Sequence, residues 1–253
     1  MYAVERRHWI VRHSRAAGRV EVAGVCEELG VAPETVRRDL TALERQGLVR
    51  RVHGGAIPVE RLGFEGELER RADARRDEKA RIASAALVML ENAESVFLDE
   101  GSTVQALAEQ LHPERPLTVV TAALPTACLL AQRPNVTVLA LGGRVRGHTL
   151  GVVDHWAVGM LADLVLDLAV TGTNGISLEH GLTCPDTTVA AVKSAGIAAS
   201  RRTILLTDHT KFGVDSFCRF AGLRDLEAVV SDRAAPERYV RQLRSQGVEV
   251  VQA

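Results

Sequence analysis

Hydrophobic positions in the first sixty residues recur at helical spacing. Val36, Leu40 and Leu43 stand four and three apart, so they share one face of a helix beginning at Pro33. Proline suits the first helical position, where its missing N–H costs nothing. Upstream, Val22, Val25, Cys26 and Leu29 repeat the pattern, and Gly30 follows as a residue able to end that helix with a positive φ. Earlier still, Val4–Ala17 sets Val4, Trp9 (or His8), Ile10, Val11 and Ala16 among Arg6, Arg7, Arg12 and Arg15, a basic amphipathic helix that Gly18 stops. Val20–Val22 is a brief extended piece. Two short helices joined by a glycine-containing turn form a helix-turn-helix. Behind them Leu48–Val52 alternates like a strand, and His53–Ala56 turns it back, so the pattern predicts a basic hairpin, or wing.

The pattern then changes. Pro58–Gly66 is a connector, and Glu67–Glu78 carries dense charge of both signs. A helix follows with Ile82, Ala83, Ala86, Leu87 and Leu90 as its stripe. From Glu94 onward, β-rich runs alternate with helical ones. The runs Ser95–Leu98, Leu117–Thr121, Val136–Leu141, Leu166–Thr171, Thr203–Thr207, Ala228–Ser231 and Val248–Val251 read as strands. Val104–Leu111, Leu124–Gln132, His155–Leu164, Thr188–Ser200 and Glu237–Gln246 read as helices. Such alternation predicts βαβ units and a mainly parallel sheet, and the near-continuous apolar strands fit a sheet covered on both faces. The expected organisation is a DNA-binding unit over 3–58, a linker over 59–77 and an α/β domain over 78–253.

Composition narrows the partners. The chain's 253 residues allow two domains, and 46% hydrophobic with 25% charged residues is ordinary for a globular protein. A net charge of −1 excludes a uniformly basic nucleic-acid coat, so any DNA contact is local. Cys26, Cys128, Cys184 and Cys218 form no C-x-x-C pair and accompany no paired histidines; four reduced thiols and no metal site are expected. The start, MYAVERRHW, lacks the apolar core of a signal peptide. No apolar run approaches the roughly 20 residues of a membrane span, so a cytoplasmic protein without membrane contact is expected.

Candidate chemistry sits on the polar sides of these elements. Thr35, Arg37, Arg38 and Thr41 fall away from the apolar face of the Pro33 helix. Guanidinium forks reach guanine edges or phosphates, and hydroxyls bond to either. The wing would bring Arg50, Arg51 and His53 to phosphate or the minor groove. In the α/β domain, polar and glycine residues gather where strands end: Asp99-Glu100-Gly101-Ser102-Thr103, Thr121, Gly142-Gly143-Arg144-Val145-Arg146, Gly172-Thr173-Asn174-Gly175 and Asp208–Gly213. Ligands of open α/β sheets sit at those ends, and hydroxyls at a helix N-terminus make an anion cradle. Of 31 basic residues only Lys79, Lys193 and Lys211 are lysines. A lysine kept in a strand-end loop suggests a point-charge phosphate contact.

Residues 3–58, through PETVRRDLTALERQGLV and RRVHGGA, resemble the DeoR-type winged helix-turn-helix. The resemblance implies an HTH motif over Val20–Asp39, with DNA contacts on Glu34, Thr35, Arg37, Arg38 and Thr41. Asp39, paired with Arg38 or capping locally, is expected to be structural. Residues 78–253, through EKARIASAA, LDEGST, LGGRVRG, GLT, AVKSAGI and TDHTKFG, are similar to the DeoR C-terminal sensor domain. That domain resembles ribose-5-phosphate isomerase and CoA-transferase folds. The implied effector residues are Asp99, Gly101, Ser102, Thr103, Thr121, Gly142, Gly143, Arg144, Gly172, Asp208 and Lys211. Two departures stand out: Ser102 replaces a threonine of D-x-G-T-T, and Thr121-Ala122-Ala123 replaces Thr-Asn-Asn, which removes two amides.

The resemblance implies a transcriptional regulator, a repressor of a carbohydrate-metabolism operon. As a homo-oligomer, dimer or tetramer, it would grip double-stranded operator DNA and release it when a phosphorylated sugar binds. The competing reading is a sugar-phosphate isomerase-like enzyme carrying a DNA-binding domain, with Asp99, Glu100, Asp208 and Lys211 as acid–base groups. No pair among these has a spacing that demands catalysis, so no catalytic residue, cofactor or metal is expected. Leu141-Gly142-Gly143-Arg144 lacks the G-x-G-x-x-G spacing of a dinucleotide site.

Overall fold

The computed structural model describes residues 3–17, 19–45, 49–52, 54–58, 74–147 and 149–253. The chain divides into two compact units, Met1–Glu65 and Gly66–Ala253.

The first unit holds α1 (Ala3–Ala17), β1 (Val20–Glu21), α2 (Val22–Leu29), α3 (Pro33–Arg45), β2 (Val49–Val52) and β3 (Gly55–Pro58). The stripe predicted on α3 is the core: Val36, Leu40 and Leu43 are buried with Ile10, Val11, Val20, Val25, Val49 and Ala56. Gly30 ends α2 at φ +62° and its N–H bonds to the Cys26 carbonyl, a left-handed cap that glycine takes without strain. The hairpin β2–β3 pairs Val49 with Pro58 and Val52 with Gly55. The extended piece at Val20–Glu21 joins it as a third strand, paired to Ala56 and Gly55. Asp39 is structural, as expected, but its partner is not Arg38. Its carboxylate accepts from Arg6 Nε at 2.5 Å and Arg7 Nε at 2.8 Å, tying α3 to α1. Arg38 is exposed on the other side of the helix.

The second unit runs α4 (Arg76–Leu87), β4 (Ser95–Leu98), α5 (Ser102–Gln110), β5 (Leu117–Thr121), α6 (Leu124–Leu130), β6 (Val136–Ala140), β7 (Arg144–Val145), β8 (Val152–Val153) and α7 (His155–Ala162). It continues with β9 (Leu166–Thr171), β10 (Gly175–Ser177), β11 (Gly181–Cys184), α8 (Thr187–Ala198), β12 (Ser200–Leu206), β13 (Cys218–Ala221), β14 (Ala228–Ser231), α9 (Glu237–Ser245) and β15 (Glu249–Gln252). Seven strands form one sheet in the order β15-β14-β12-β9-β4-β5-β6, and every neighbouring pair is parallel. Side chains alternate between faces along each strand. Val96 and Leu98 therefore enter one cluster, with Ile82 of α4 and Leu107 of α5, while Phe97 enters another, with Leu161 of α7, Val192 of α8 and Leu243 of α9. Helices cover both faces, as a parallel sheet requires. The exception is β6, at the sheet edge, where Leu139 stays 44% exposed.

All seven predicted strands appear in this sheet. Not predicted were the antiparallel sheet β10-β11-β13 and the ribbon β7-β8. β7 and β8 are two residues long, too short to carry a hydrophobic period, and β10, β11 and β13 mix glycine or polar residues with apolar ones over three or four positions.

Candidate functional site

Two charged surfaces stand out, one in each unit. On the first unit, Pro33 starts α3 and the buried stripe fixes its rotation, so the opposite face is polar by necessity. Glu34, Arg37, Arg38, Thr41 and Arg51 line one shallow concavity there. Arg37 Nη1 reaches Glu34 at 3.2 Å, and the Thr41 hydroxyl donates to the Arg37 carbonyl at 2.9 Å. The wing is anchored to the helix beneath it: Arg51 N–H donates to Glu44 at 2.9 Å, and Arg51 Nη1 to the Thr41 hydroxyl at 3.2 Å. Thr35, half-buried, is on the helix but outside this concavity. Arg50 is described only by its backbone in β2, and His53 lies outside the described residues.

In the second unit the chain passes from β4 to β5 and β6 on one side, then returns to place β9 on the other side of β4. Strand order thus reverses between β4 and β9, and crevices of open sheets form at such a point, outside the strands' carboxyl ends. A cavity of about 190 Å³ lies there. Its walls are the loop and helix start after β4 (Glu100–Val104), the loop after β9 (Gly172–Asn174), the segment after β12 (Thr207–Lys211), the start of α4 (Ala74, Arg75, Lys79), Thr149, and Lys193 from α8.

All three lysines of the chain line this one cavity. Lys193 is 4% exposed and donates to the Asp99 carboxylate and, at 3.1 Å, to the Gly172 carbonyl. Asp99, itself 1% exposed, also accepts from the Thr171 hydroxyl at 2.6 Å, Gly172 N–H at 3.1 Å and Glu100 N–H at 2.8 Å. A charge pair buried this deeply is tolerable only with such further hydrogen bonds. Asp99 is thus the support that aims Lys193 and is not itself a wall of the cavity. Lys79 is buried, and Lys211, half-buried, makes no ion pair among the described residues.

Gly101 precedes α5 at φ +133°, a conformation a side chain would strain, and the helix start whose first N–H groups have no intrahelical partner lines the cavity. Ser102 and Thr103 hydroxyls there have no hydrogen-bond partner among the described residues, and neither has the Asn174 amide. Two carboxylates complete the wall. Asp208 accepts from Thr210 N–H at 3.0 Å and from its hydroxyl, with Arg75 Nε 3.8 Å away. Glu100 is held by Arg146 at 3.2 Å and by the Thr149 hydroxyl at 2.7 Å. Behind them Asp186 caps α8, and the Thr188 hydroxyl and nearby N–H groups hold its carboxyl below the usual range.

Of the eleven residues proposed from sequence, Gly101, Ser102, Thr103, Gly172, Asp208 and Lys211 line the cavity. Asp99 lies just beneath it. Thr121 is buried, its hydroxyl donating to the Leu98 carbonyl at 2.6 Å. Gly142, Gly143 and Arg144 follow β6, at the far edge of the sheet, and are not among the lining residues. Outside those eleven, Glu100 and Asn174 stand in strand-end loops marked from sequence, whereas Arg75, Thr149 and Lys193 were not expected as walls. The scarcity of lysine pointed to Lys211 in its strand-end loop; Lys79 and Lys193 share that scarcity but stand in helices. Among the described residues no His, Cys, Asp or Glu cluster could hold a metal, and no helix is long and apolar enough to cross a membrane.

Comparison with known proteins places both units. Residues 6–61 match the DeoR-like helix-turn-helix domain, and residues 74–233 match the DeoR C terminal sensor domain. The chain belongs to the DeoR family of HTH-type transcriptional regulators. It is 30% identical to the HTH-type transcriptional regulator GlpR of Haloferax volcanii, over 99% of this chain and 98% of that one. It is also 30% identical to the HTH-type transcriptional repressor GlcR of Bacillus subtilis (99% and 96%) and 29% identical to the glycerol-3-phosphate regulon repressor of Escherichia coli (93% and 93%). These relatives are named regulators or repressors, not enzymes. Ribose 5 phosphate isomerase A of Neisseria gonorrhoeae is a distant structural neighbour, 18% identical with a TM-score of 0.38 over 55% of this chain and 54% of that one. As a DeoR-family regulator the protein binds DNA through its helix-turn-helix unit.

Proposed function

We propose that this DeoR-family regulator is a cytoplasmic repressor of a carbohydrate-metabolism operon that releases operator DNA when a small phosphorylated sugar or polyol binds its sensor unit. The observation that carries the reading is the cavity at the strand-order reversal. It combines all three lysines, open N–H groups at the start of α5, and two hydroxyls without a partner among the described residues. Cations and helix-start N–H groups suit a phosphate; Glu100, Asp208 and Asn174 suit the hydroxyls of the remaining carbon chain. A cavity of about 190 Å³ suits a ligand of a few carbons better than a dinucleotide. The name of the E. coli relative, a glycerol-3-phosphate regulon repressor, agrees with a ligand of that class.

On the DNA side, Arg37, Arg38, Thr41 and Arg51 supply forks and hydroxyls to the major groove and backbone, with Glu34 and Thr35 beside them and Arg50 and His53 extending the wing. Paired units in a dimer or tetramer would match repeated half-sites. Ligand and operator oppose each other because each binds a different state of the protein better, and the linkage is reciprocal.

The test is a thermal-shift panel of phosphorylated sugars, glycerol 3-phosphate and their unphosphorylated counterparts, followed by DNA-binding titrations on the upstream region of the protein's own gene. The expected result is stabilisation by a phosphorylated compound alone, loss of that shift in Lys211→Ala, and weaker DNA binding in its presence. Equal stabilisation by the free sugar, or an unchanged DNA affinity, would overturn the reading.

A further inference from the structure

Two of the four cysteines, far apart in sequence, are brought face to face by the small antiparallel sheet. Cys184 ends β11 and Cys218 begins β13, and the two are direct cross-strand partners. Partners in an antiparallel pair stand about 4.5 or 5.5 Å apart at Cα, depending on the hydrogen-bond register, and their side chains leave the sheet on one face. Both separations fall inside the range of about 4.4–6.8 Å that a disulfide spans. The two side chains also share one cluster: Cys184 is fully buried in the core against which half-buried Cys218 packs. Both are thiols in this structure, as are Cys26 and Cys128, which stand in other elements.

We propose that Cys184 and Cys218 are an oxidisable pair that closes to an intramolecular disulfide when the protein meets hydrogen peroxide. Exposure assigns the order of events. The Cys218 thiolate attacks a peroxide oxygen; the O–O bond breaks, hydroxide leaves and takes up a proton as water, and Cys218 becomes a sulfenic acid. The Cys184 sulfur then attacks the Cys218 sulfur, the S–O bond breaks, and the departing hydroxide combines with the Cys184 proton as a second water. Two thiols are oxidised by two electrons and one peroxide is reduced to two waters. Burial raises the Cys184 thiol above its ordinary value, and its Sγ–H donates to the Asp186 carbonyl at 3.5 Å, both of which disfavour Cys184 as the first attacker.

The bond would join two parts of the cavity wall. Cys184 leads through Pro185 into Asp186, the cap of α8, which carries Lys193. Cys218 closes the segment that starts at Asp208 and carries Lys211, a segment already touching β11 where Ser216 N–H donates to the Thr183 hydroxyl at 2.9 Å. Oxidation therefore pins the Lys211 segment against the start of the Lys193 helix.

The experiment treats the full-length protein with hydrogen peroxide, alkylates remaining thiols and maps peptides by mass spectrometry without reduction. A Cys26→Ser, Cys128→Ser background removes competing thiols. The expected product is a linked Cys184–Cys218 peptide about two mass units lighter than the dithiol. It should come with a melting temperature raised by about 5 °C, reversed by dithiothreitol and absent in Cys218→Ser. Hydrogen exchange across 208–217 should slow several-fold on oxidation. Recovery of both cysteines as alkylated thiols, or their capture only in links between two chains, would overturn the proposal. Cys218→Ser changes the half-exposed partner, so the folded control does not depend on the buried one.

Discussion

The two cationic surfaces of this protein differ in residue type, burial and pairing. The helix-turn-helix surface is built from arginines that stand in solvent, and the ion pair Glu34–Arg37 on the outer face of α3 has both side chains more than half exposed. The sensor cavity is built from lysines, and Lys193 is all but sealed against Asp99. An extended polyanion is gripped by several planar forks that must stay free to reach it, whereas a small anion is gripped by point charges fixed in advance. The exposed surface can lose a cation and stay folded. Lys193 cannot be lost so easily, because it also holds the Asp99 carboxylate in the core's hydrogen-bond network.

The largest test of that contrast is Lys193→Met. Leaving the Asp99 carboxylate buried without its cation should cost about 3–5 kcal/mol of stability, read from denaturant unfolding. A loss below about 1 kcal/mol would mean the pair is not structural. Arg37→Ala and Arg38→Ala should each weaken operator binding by about 1–3 kcal/mol while leaving the unfolding transition within about 0.5 kcal/mol of the parent. A large stability loss there would erase the difference between the two surfaces.

Asp186→Ala should be intermediate, about 1 kcal/mol, as the loss of a helix cap. Its pH dependence has a definite sign. Hydrogen bonds from the Thr188 hydroxyl and the N–H groups of Thr188 and Val189 outweigh burial and keep the carboxyl ionised to lower pH when folded than when unfolded. The contribution is therefore complete above about pH 4 and fades as pH falls through the lowered folded value. Parent and variant unfolding energies should converge in acid, and a constant gap would exclude Asp186 as the source. The smallest effect belongs to Glu34→Gln. Breaking an exposed pair three residues apart should shift stability by less than about 0.5 kcal/mol, yet removing a negative charge beside Arg37 should tighten DNA binding measurably at low salt.

Much of this was legible in the residues. The spacing of Val36, Leu40 and Leu43 sets which side of α3 is buried and hence which side carries Arg37 and Arg38. That inference needs only a helical period, and it holds because the stripe is local. Runs such as Ser95–Leu98 and Ala228–Ser231 announce buried parallel strands because both faces of the sheet are covered and both are apolar. The glycine–hydroxyl run at 101–103 announces a helix start, and a helix start exposes its own N–H groups whatever surrounds it.

What the residues could not decide was the order of the strands. Five strand-end loops look alike in sequence, and only the reversal between β4 and β9 determines which of them converge. It brings Gly101–Thr103, Gly172 and Lys211 to one cavity and leaves Gly142–Arg144 at a distant edge. The same long-range pairing sets Lys193 on Asp99 and Cys184 across from Cys218, partners separated by tens of residues. Local patterns follow from the geometry of one helix or strand and can be read along the chain. Convergence depends on how the sheet closes its core, which no single stretch of sequence encodes.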